Sequence, residues 1–445
     1  MSMFNYYLRL ALRSLRRNVV LSALTIAAIG VGIGASMTMV TIFRAEANDP
    51  IPQKSAQLYT PQIDNYGPGK NDTGLAEPDG RERFQDQLAY IDAMGLMNAH
   101  AAERQAAMFP ADLAVTPADP RLLPFLIHAR ATFADFFPMF AVPFRYGAAW
   151  SAADDTAHAD VVVITRRLND KVFGGVNSVG RTLHLDDHDY RVIGVLDRWE
   201  PIPRFYDLNQ PYGLSEDVFV PLTRAIEDHM TISGHQDCPD DSPPLTGYDG
   251  QLQSECVWLQ FWVELPTAAS VAKYRAFLND YAAEQRRSGR FHWPPRTRLR
   301  NMSEWLDYHH VVENDVKMLV LVSFSFLLVC LLNAMGLMLA KIMGRTADIN
   351  VRRALGASRT AVFIQCLIEA GVIGLAGGLV GLALTSLGLR GLVLLFSGDA
   401  GRLAHLDLAE VGCAVALGVI AAMAAGLYPT WRATQVQPAW QLKTQ

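Results

Sequence analysis

Four uninterrupted apolar runs divide this sequence, each near the ~20 residues an α-helix needs to cross the hydrocarbon core of a bilayer. Residues 19–43 carry no charge, residues 318–340 lie between Lys317 and Lys341, residues 361–389 contain only Glu369, and residues 408–429 contain only Glu410. The pattern predicts four transmembrane helices with both termini on the same side. Ahead of the first, Phe4, Leu8, Leu12 and Leu15 recur at helical spacing opposite Arg9, Arg13, Arg16 and Arg17. That is the pattern of an interfacial helix over residues 1–18. Ala45-Glu46-Ala47 imitates a signal-peptide cleavage site, but the apolar run before it exceeds the roughly 7–15 residues of a signal-peptide core. An uncleaved anchor is expected.

Between the first and second spans, residues 44–317 change period repeatedly. Residues 160–175 (DVVVITRRLNDKVFGG) read as a β-branched strand and a short helix closed by glycines, and residues 181–196 alternate on each side of Asp186-Asp187-His188-Asp189, as a hairpin does. Residues 217–222 and 257–265 read as further strands, and residues 270–289 as a helix. The predicted fold class is an α-helical polytopic membrane protein with four transmembrane helices and a large α+β extracytoplasmic domain between helices one and two.

Charge sets the orientation. The first 18 residues, the loop 341–360 and the tail 430–445 together carry +10, whereas 44–317 carry −13 of a chain whose total is −5. Lysine and arginine near span ends are retained in the cytoplasm, so the termini are expected inside and the acidic domain outside. An external surface of that sign argues against nucleic acid as a partner.

Catalytic chemistry is not legible. There is no G-x-x-x-x-G-K-[ST], H-E-x-x-H, C-x-x-C or G-x-S-x-G, and Asp72-Thr73-Gly74 follows GPGKN, so it reads as a turn rather than as part of a protease. A non-catalytic chain with no bound cofactor or metal is expected. His184 and His188 with neighbouring aspartates, and His229, His235 and Cys238, are loose sets that read as hydrophilic loops. Cys238 and Cys256 form either a disulfide or two free thiols; an oxidising compartment favours the bond, worth roughly 3 kcal/mol by chain entropy. Cys330, Cys366 and Cys413 lie in spans and read as small packing residues. Glu369 is costly inside a span and is expected to face protein or water, as a helix–helix hydrogen bond or a transmitter of motion. Gly30/Gly34, Gly374/Gly378 and Gly377/Gly381 allow close helix approach.

The most informative stretch is the basic loop between the second and third spans. In RTADINVRRALGAS, Arg345, Asp348, Ile349, Arg352, Arg353, Ala354, Leu355, Gly356, Ala357 and then Arg359 combine charge with an apolar helical edge. With Gln365 and Glu369 in FIQCLIEA, and Gly426, Pro429, Arg432, Ala433, Pro438 and Leu442 near the end, this loop resembles the coupling-helix region of the MacB/FtsX-like permeases of ABC transporters, the mechanotransmission or type VII systems. The one-plus-three span layout and residues 161–196 are similar to that family too. Asn350 and Gln437 depart from its pattern, where glycine and an acid are usual.

The resemblance implies a permease that moves its external domain when a separate ATPase, using ATP and Mg²⁺, docks beneath residues 341–360. Arg345, Arg352, Arg353 and Arg359 are the docking candidates. It also implies a second permease copy, identical or related, a periplasmic adaptor with an outer-membrane channel, and export of a peptide, antibiotic or other small molecule. Relay to an external enzyme and lipoprotein release are the alternatives. The external domain would have a membrane-proximal part near 45–125 and 257–315 and a distal part near 126–256, and residues 390–407 would form a short periplasmic loop.

Overall fold

Where the sequence is apolar without interruption, the chain forms helices long enough to span a membrane. The computed structural model describes residues 3–47, 49–67, 85–209, 211, 213, 215–239, 246–309, 311, 314–395 and 408–435. Asp72-Thr73-Gly74, most of 390–407 and the tail beyond 435 lie outside them. The chain divides into two units, Met1–Ala47 with Val312–Gln445, and Asn48–Val311.

Among the described residues the first unit is built of helices and short connections. Helix α1 (Met3–Arg17) precedes α2 (Val19–Glu46), then come α3 (Asn314–Met343), the short α4 (Thr346–Ala354), α5 (Arg359–Leu395) and α6 (Leu408–Gln435). The expected spans sit inside α2, α3, α5 and α6, four helices apolar and long enough to cross a membrane. Their ends run past the apolar runs because helical hydrogen bonding does not stop where the hydrocarbon does. Of the interfacial pattern in α1, Leu15 packs on the bundle core and Ala11 and Ser14 are buried, while Arg9, Arg13, Arg16 and Arg17 are exposed; the side chains of Phe4, Leu8 and Leu12 lie outside the described residues.

Glycine sets the helix spacing. A Cβ on Gly377 would lie 2.8 Å from Ile29, and one on Gly30 2.7 Å from Val380, so α2 and α5 meet backbone to backbone. On another side of α5, a Cβ on Gly374 would lie 2.5 Å from the carbonyl oxygen of Gly418 in α6. The two overlapping glycine pairs of α5 therefore face different neighbours, Gly377/Gly381 toward α2 and Gly374/Gly378 toward α6.

Among the described residues of the second unit eleven strands build the sheet: β1 (Leu58–Ile63), β2 (Leu88–Ala89), β3 (Arg104–Thr116), β4 (Phe125–Thr132), β5 (Phe144–Gly147), β6 (Val161–Ile164), β7 (Thr182–Leu185), β8 (His188–Leu196), β9 (Val218–Pro221), β10 (Val257–Glu264) and β11 (Thr297–Asn301). The order is β11-β1-β10-β3-β4-β9-β6-β8-β5, with β2 on β10 and β7 bridging β3 and β8. Strand β3 serves both halves: Arg104–Met108 pair with β10, and Phe109–Val115 pair with β4. The 125/126 division between proximal and distal parts thus falls at the start of β4, inside a hairpin. Period-2 alternation sends neighbouring residues to different cores. Ala107, Phe109 and Ala111 join Val162, Val218 and Trp258, whereas Ala106 and Met108 join an aromatic cluster of Phe136, Phe140, Phe205, Tyr206 and Trp262.

A fully buried cation crosses this sheet. Arg130 on β4 donates through Nε to Glu216 at 2.8 Å and through Nη2 to Asp207 at 2.7 Å, and the Tyr206 hydroxyl donates to Glu216 at 2.8 Å. Burial raises the Glu216 carboxyl, but Arg130 and Arg204 outweigh it and hold that carboxyl at about 2, below its usual value of 4.5. A group depressed in this way stabilises the fold above its ordinary value and loses that contribution as pH falls toward the folded one.

Two outcomes are expected. Glu216→Gln leaves Arg130 short of a charge partner and should lower stability by about 3 kcal/mol at pH 7; in chemical denaturation followed by tryptophan fluorescence, the gap to wild type should narrow below about pH 4.5 and close near pH 2. Gly374→Leu should separate α5 from α6, seen as a lower midpoint of thermal unfolding in detergent than for Gly391→Leu, a position where a Cβ meets nothing within 4 Å.

Candidate functional site

At the end of the bundle that carries the basic residues, three segments reach a carboxylate carried by a fourth. Glu369, on α5, lies 2.6 Å from Nζ of Lys341 at the end of α3 and 3.4 Å from Nη1 of Arg345, the residue before α4. Ser14 of α1 donates its hydroxyl to Glu369 and accepts from Arg345 Nη1, and Arg345 Nη2 donates to the Ser14 carbonyl at 2.8 Å. Lys341 also donates to Ser22 of α2 at 2.9 Å. Lys341 is 4% exposed, Glu369 13% and Arg345 15%, so this is an interior cluster.

Helix α4 stands beside it. Arg345 precedes the helix, and Gly356 closes it with φ +100, where an L side chain would be strained. Arg352 donates to Gln365 of α5 at 3.0 Å, a second tie between α4 and α5. On the outer surface Val351 is 60% exposed and Leu355 83% exposed. Two large apolar side chains beside an arginine form a surface suited to another protein.

The residues singled out in the sequence fall into distinct places. Arg345 and Glu369 come together, and Ile349 and Arg352 line the same cavity. Arg345, one of the docking candidates, is 15% exposed and lies against Glu369. Arg352, Leu355 and Arg359 are exposed and Arg353 is half-buried; the Asp348 side chain lies outside the described residues. Gly374 and Gly378 pack on α6, away from the cluster. In the other unit Cys238 and Cys256 are joined by a disulfide. There His184 and His188 sit on opposite faces of the β7–β8 hairpin, paired with Asp189 and Asp228, and His229 stacks on Tyr248. Ser14, Ser22 and Lys341 were not singled out for the site. Each looks like an ordinary flanking residue in sequence, and only Ser14, a small polar residue on a helix of arginines and apolar residues, gives a faint signal.

Residues 22–281 match the MacB-like periplasmic core domain family, and residues 320–438 match the FtsX-like permease C-terminal family. Among relatives, the "Macrolide export ATP-binding/permease protein MacB" of Azoarcus sp. (strain BH72) is 26% identical over 436 residues, 97% of this chain and 58% of the relative. The "Pyoverdine export ATP-binding/permease protein PvdT" of Pseudomonas entomophila is 26% identical over 68% of this chain and 41% of its own length. The chain spans about half the length of the curated relatives it matches. Among solved structures, the periplasmic region of MacB from Actinobacillus actinomycetemcomitans aligns with 60% of this chain and 99% of that one, at a TM-score of 0.36 and 15% identity.

The charge cluster predicts an asymmetric mutational response. Glu369→Leu strands two cations inside the bundle and should destabilise by about 3–5 kcal/mol, whereas adding Lys341→Met removes one of them and should recover part of that loss. Thermal unfolding in detergent, run as a double-mutant cycle, checks both.

Proposed function

The chain belongs to the family of membrane permeases that combine a MacB-like periplasmic core domain with an FtsX-like permease region, and from that premise we propose that it couples ATP hydrolysis in a partner chain to movement of its external domain. The carrying observation is α4. Its outer surface offers Val351 and Leu355 to a partner, while its inner side is tied to the bundle by Arg345–Glu369, Arg345–Ser14 and Arg352–Gln365. An ATPase that closes on ATP and Mg²⁺ beneath α4 displaces it, and those charged ties deliver the displacement to α5 and α1 as a rigid-body shift.

In this reading the basic end of the bundle faces the cytoplasm of a bacterial inner membrane and residues 44–317 face the periplasm. Two permease copies pair, and a periplasmic adaptor with an outer-membrane channel completes the path. Export of a small molecule, antibiotic or peptide is the activity, a class supported by relatives whose names specify macrolide and pyoverdine export.

The test is co-purification of the tagged chain with a candidate ATPase, followed by hydrolysis assays. Leu355→Asp, and Arg352→Glu with Arg353→Glu, should each weaken the complex and lower permease-stimulated hydrolysis by roughly ten-fold or more. Glu369→Gln should leave the complex intact yet reduce export. Full binding and hydrolysis by both α4 variants would remove α4 as the coupling surface.

A further inference from the structure

Helix α6 runs through a proline. Pro429 stands inside the helix and has no N–H, so the carbonyl of Ala425 lacks the bond it would accept from residue 429. The affected turn faces inward: Ala425, Gly426, Pro429 and Thr430 are buried, while Leu427 and Tyr428 are exposed. A Cβ on Gly426 would lie 2.9 Å from Cβ of Ala370, so this turn sits against α5 one residue past Glu369. In a membrane helix a carbonyl released by proline is satisfied by a neighbouring side chain or by water.

Gly426, Thr430, Lys341 and Glu369 line a void of about 30 Å³, room for about two water molecules. Lys341 donates to Glu369 and to Ser22, and its ammonium carries a third hydrogen. We propose that water in this void joins Lys341 to the Ala425 carbonyl, and that the turn 425–429 is a joint at which α6 bends. The close contacts that Gly374 and Gly378 of α5 make with α6, at Gly418 and Val415, lie before the joint, and the last turns of α6 lie after it. A shift of α5 therefore carries the meshed part of α6 with it, while the residues beyond Pro429 yield. This role in coupling rests on the reading that α4 is the driven element; the joint itself does not.

Hydrogen–deuterium exchange of the full chain in detergent, read by mass spectrometry, tests the joint. Peptides covering 424–431 should exchange roughly five-fold faster than peptides covering 365–372 of α5, the factor expected for one missing backbone hydrogen bond. Pro429→Ala restores the donor and should bring the two rates together. Thr430→Leu fills the void and expels the water, so it should lower the midpoint of thermal unfolding in the wild type and not in the Pro429→Ala background. With a candidate ATPase bound, ATP and Mg²⁺ should raise exchange at 424–431 further in the wild type and not in Pro429→Ala. Equal protection of the two wild-type peptides overturns the joint, and an equal loss from Thr430→Leu in both backgrounds overturns the water bridge. Stimulated hydrolysis with no ATP response at 424–431 overturns the role in coupling. An ATPase that the wild-type chain neither binds nor stimulates would mean that the α4 reading failed, and the comparison on the chain alone would still decide the joint.

Discussion

A carboxylate inside a bundle of apolar helices keeps its charge only if cations and hydrogen-bond donors reach it from neighbouring elements. Glu369 meets that condition through Lys341, Arg345 and Ser14, and each partner brings its own segment. Because Ser14 accepts from and donates within the cluster, α1 is fastened to the bundle as well as suited to the interface. Because Arg345 is the residue before α4, the entry to that helix is fixed where it leaves the membrane helices. The exposed surface of α4, with Val351 and Leu355 turned outward, follows from having its other side committed.

The external unit solves a related problem with different chemistry. Where β4 runs through Ala129–Thr132 successive residues are buried, so a charged side chain there has no water to turn to, and Arg130 is satisfied by Glu216 and Asp207. The two partners reach it from the segment between β8 and β9, which carries Tyr206 into the aromatic cluster. One ionic knot therefore fixes a long irregular connection to the sheet, at a place where alternation alone would leave the connection undetermined.

The spans were legible because nothing interrupts them, and the α4 region because basic residues and an apolar edge coincide between two spans. β6 to β10 were legible from β-branched runs and turn residues. β3 was not, since RQAAMFPADLAVT is rich in alanine and holds Pro110, a residue that argues against a central strand. It is accommodated where β3 changes partner from β10 to β4, with its carbonyl accepting from Ser233. Glu369 stood out from sequence because charge in a span is rare. Its partners did not, because Ser14 and Glu369 are 355 positions apart and only the packing of α1 on α5 joins them. Arg130 was likewise one arginine among many until the sheet closed around it.

The overlapping glycine pairs on α5 carry a mechanical consequence. Each pair lets a neighbour approach at one register, and of the residues between, Leu375, Ala376, Leu379 and Val380 carry side chains that the glycines lack. For α5 to slip along α6 until Gly378 stood where Gly374 now stands, it would have to travel four residues, about 6 Å at the rise of an α-helix. Smaller axial excursions meet steric resistance against α2 and α6 together. Helix α5 thus behaves as a toothed shaft: a modest push does not slide it past its neighbours but carries all three helices along in step.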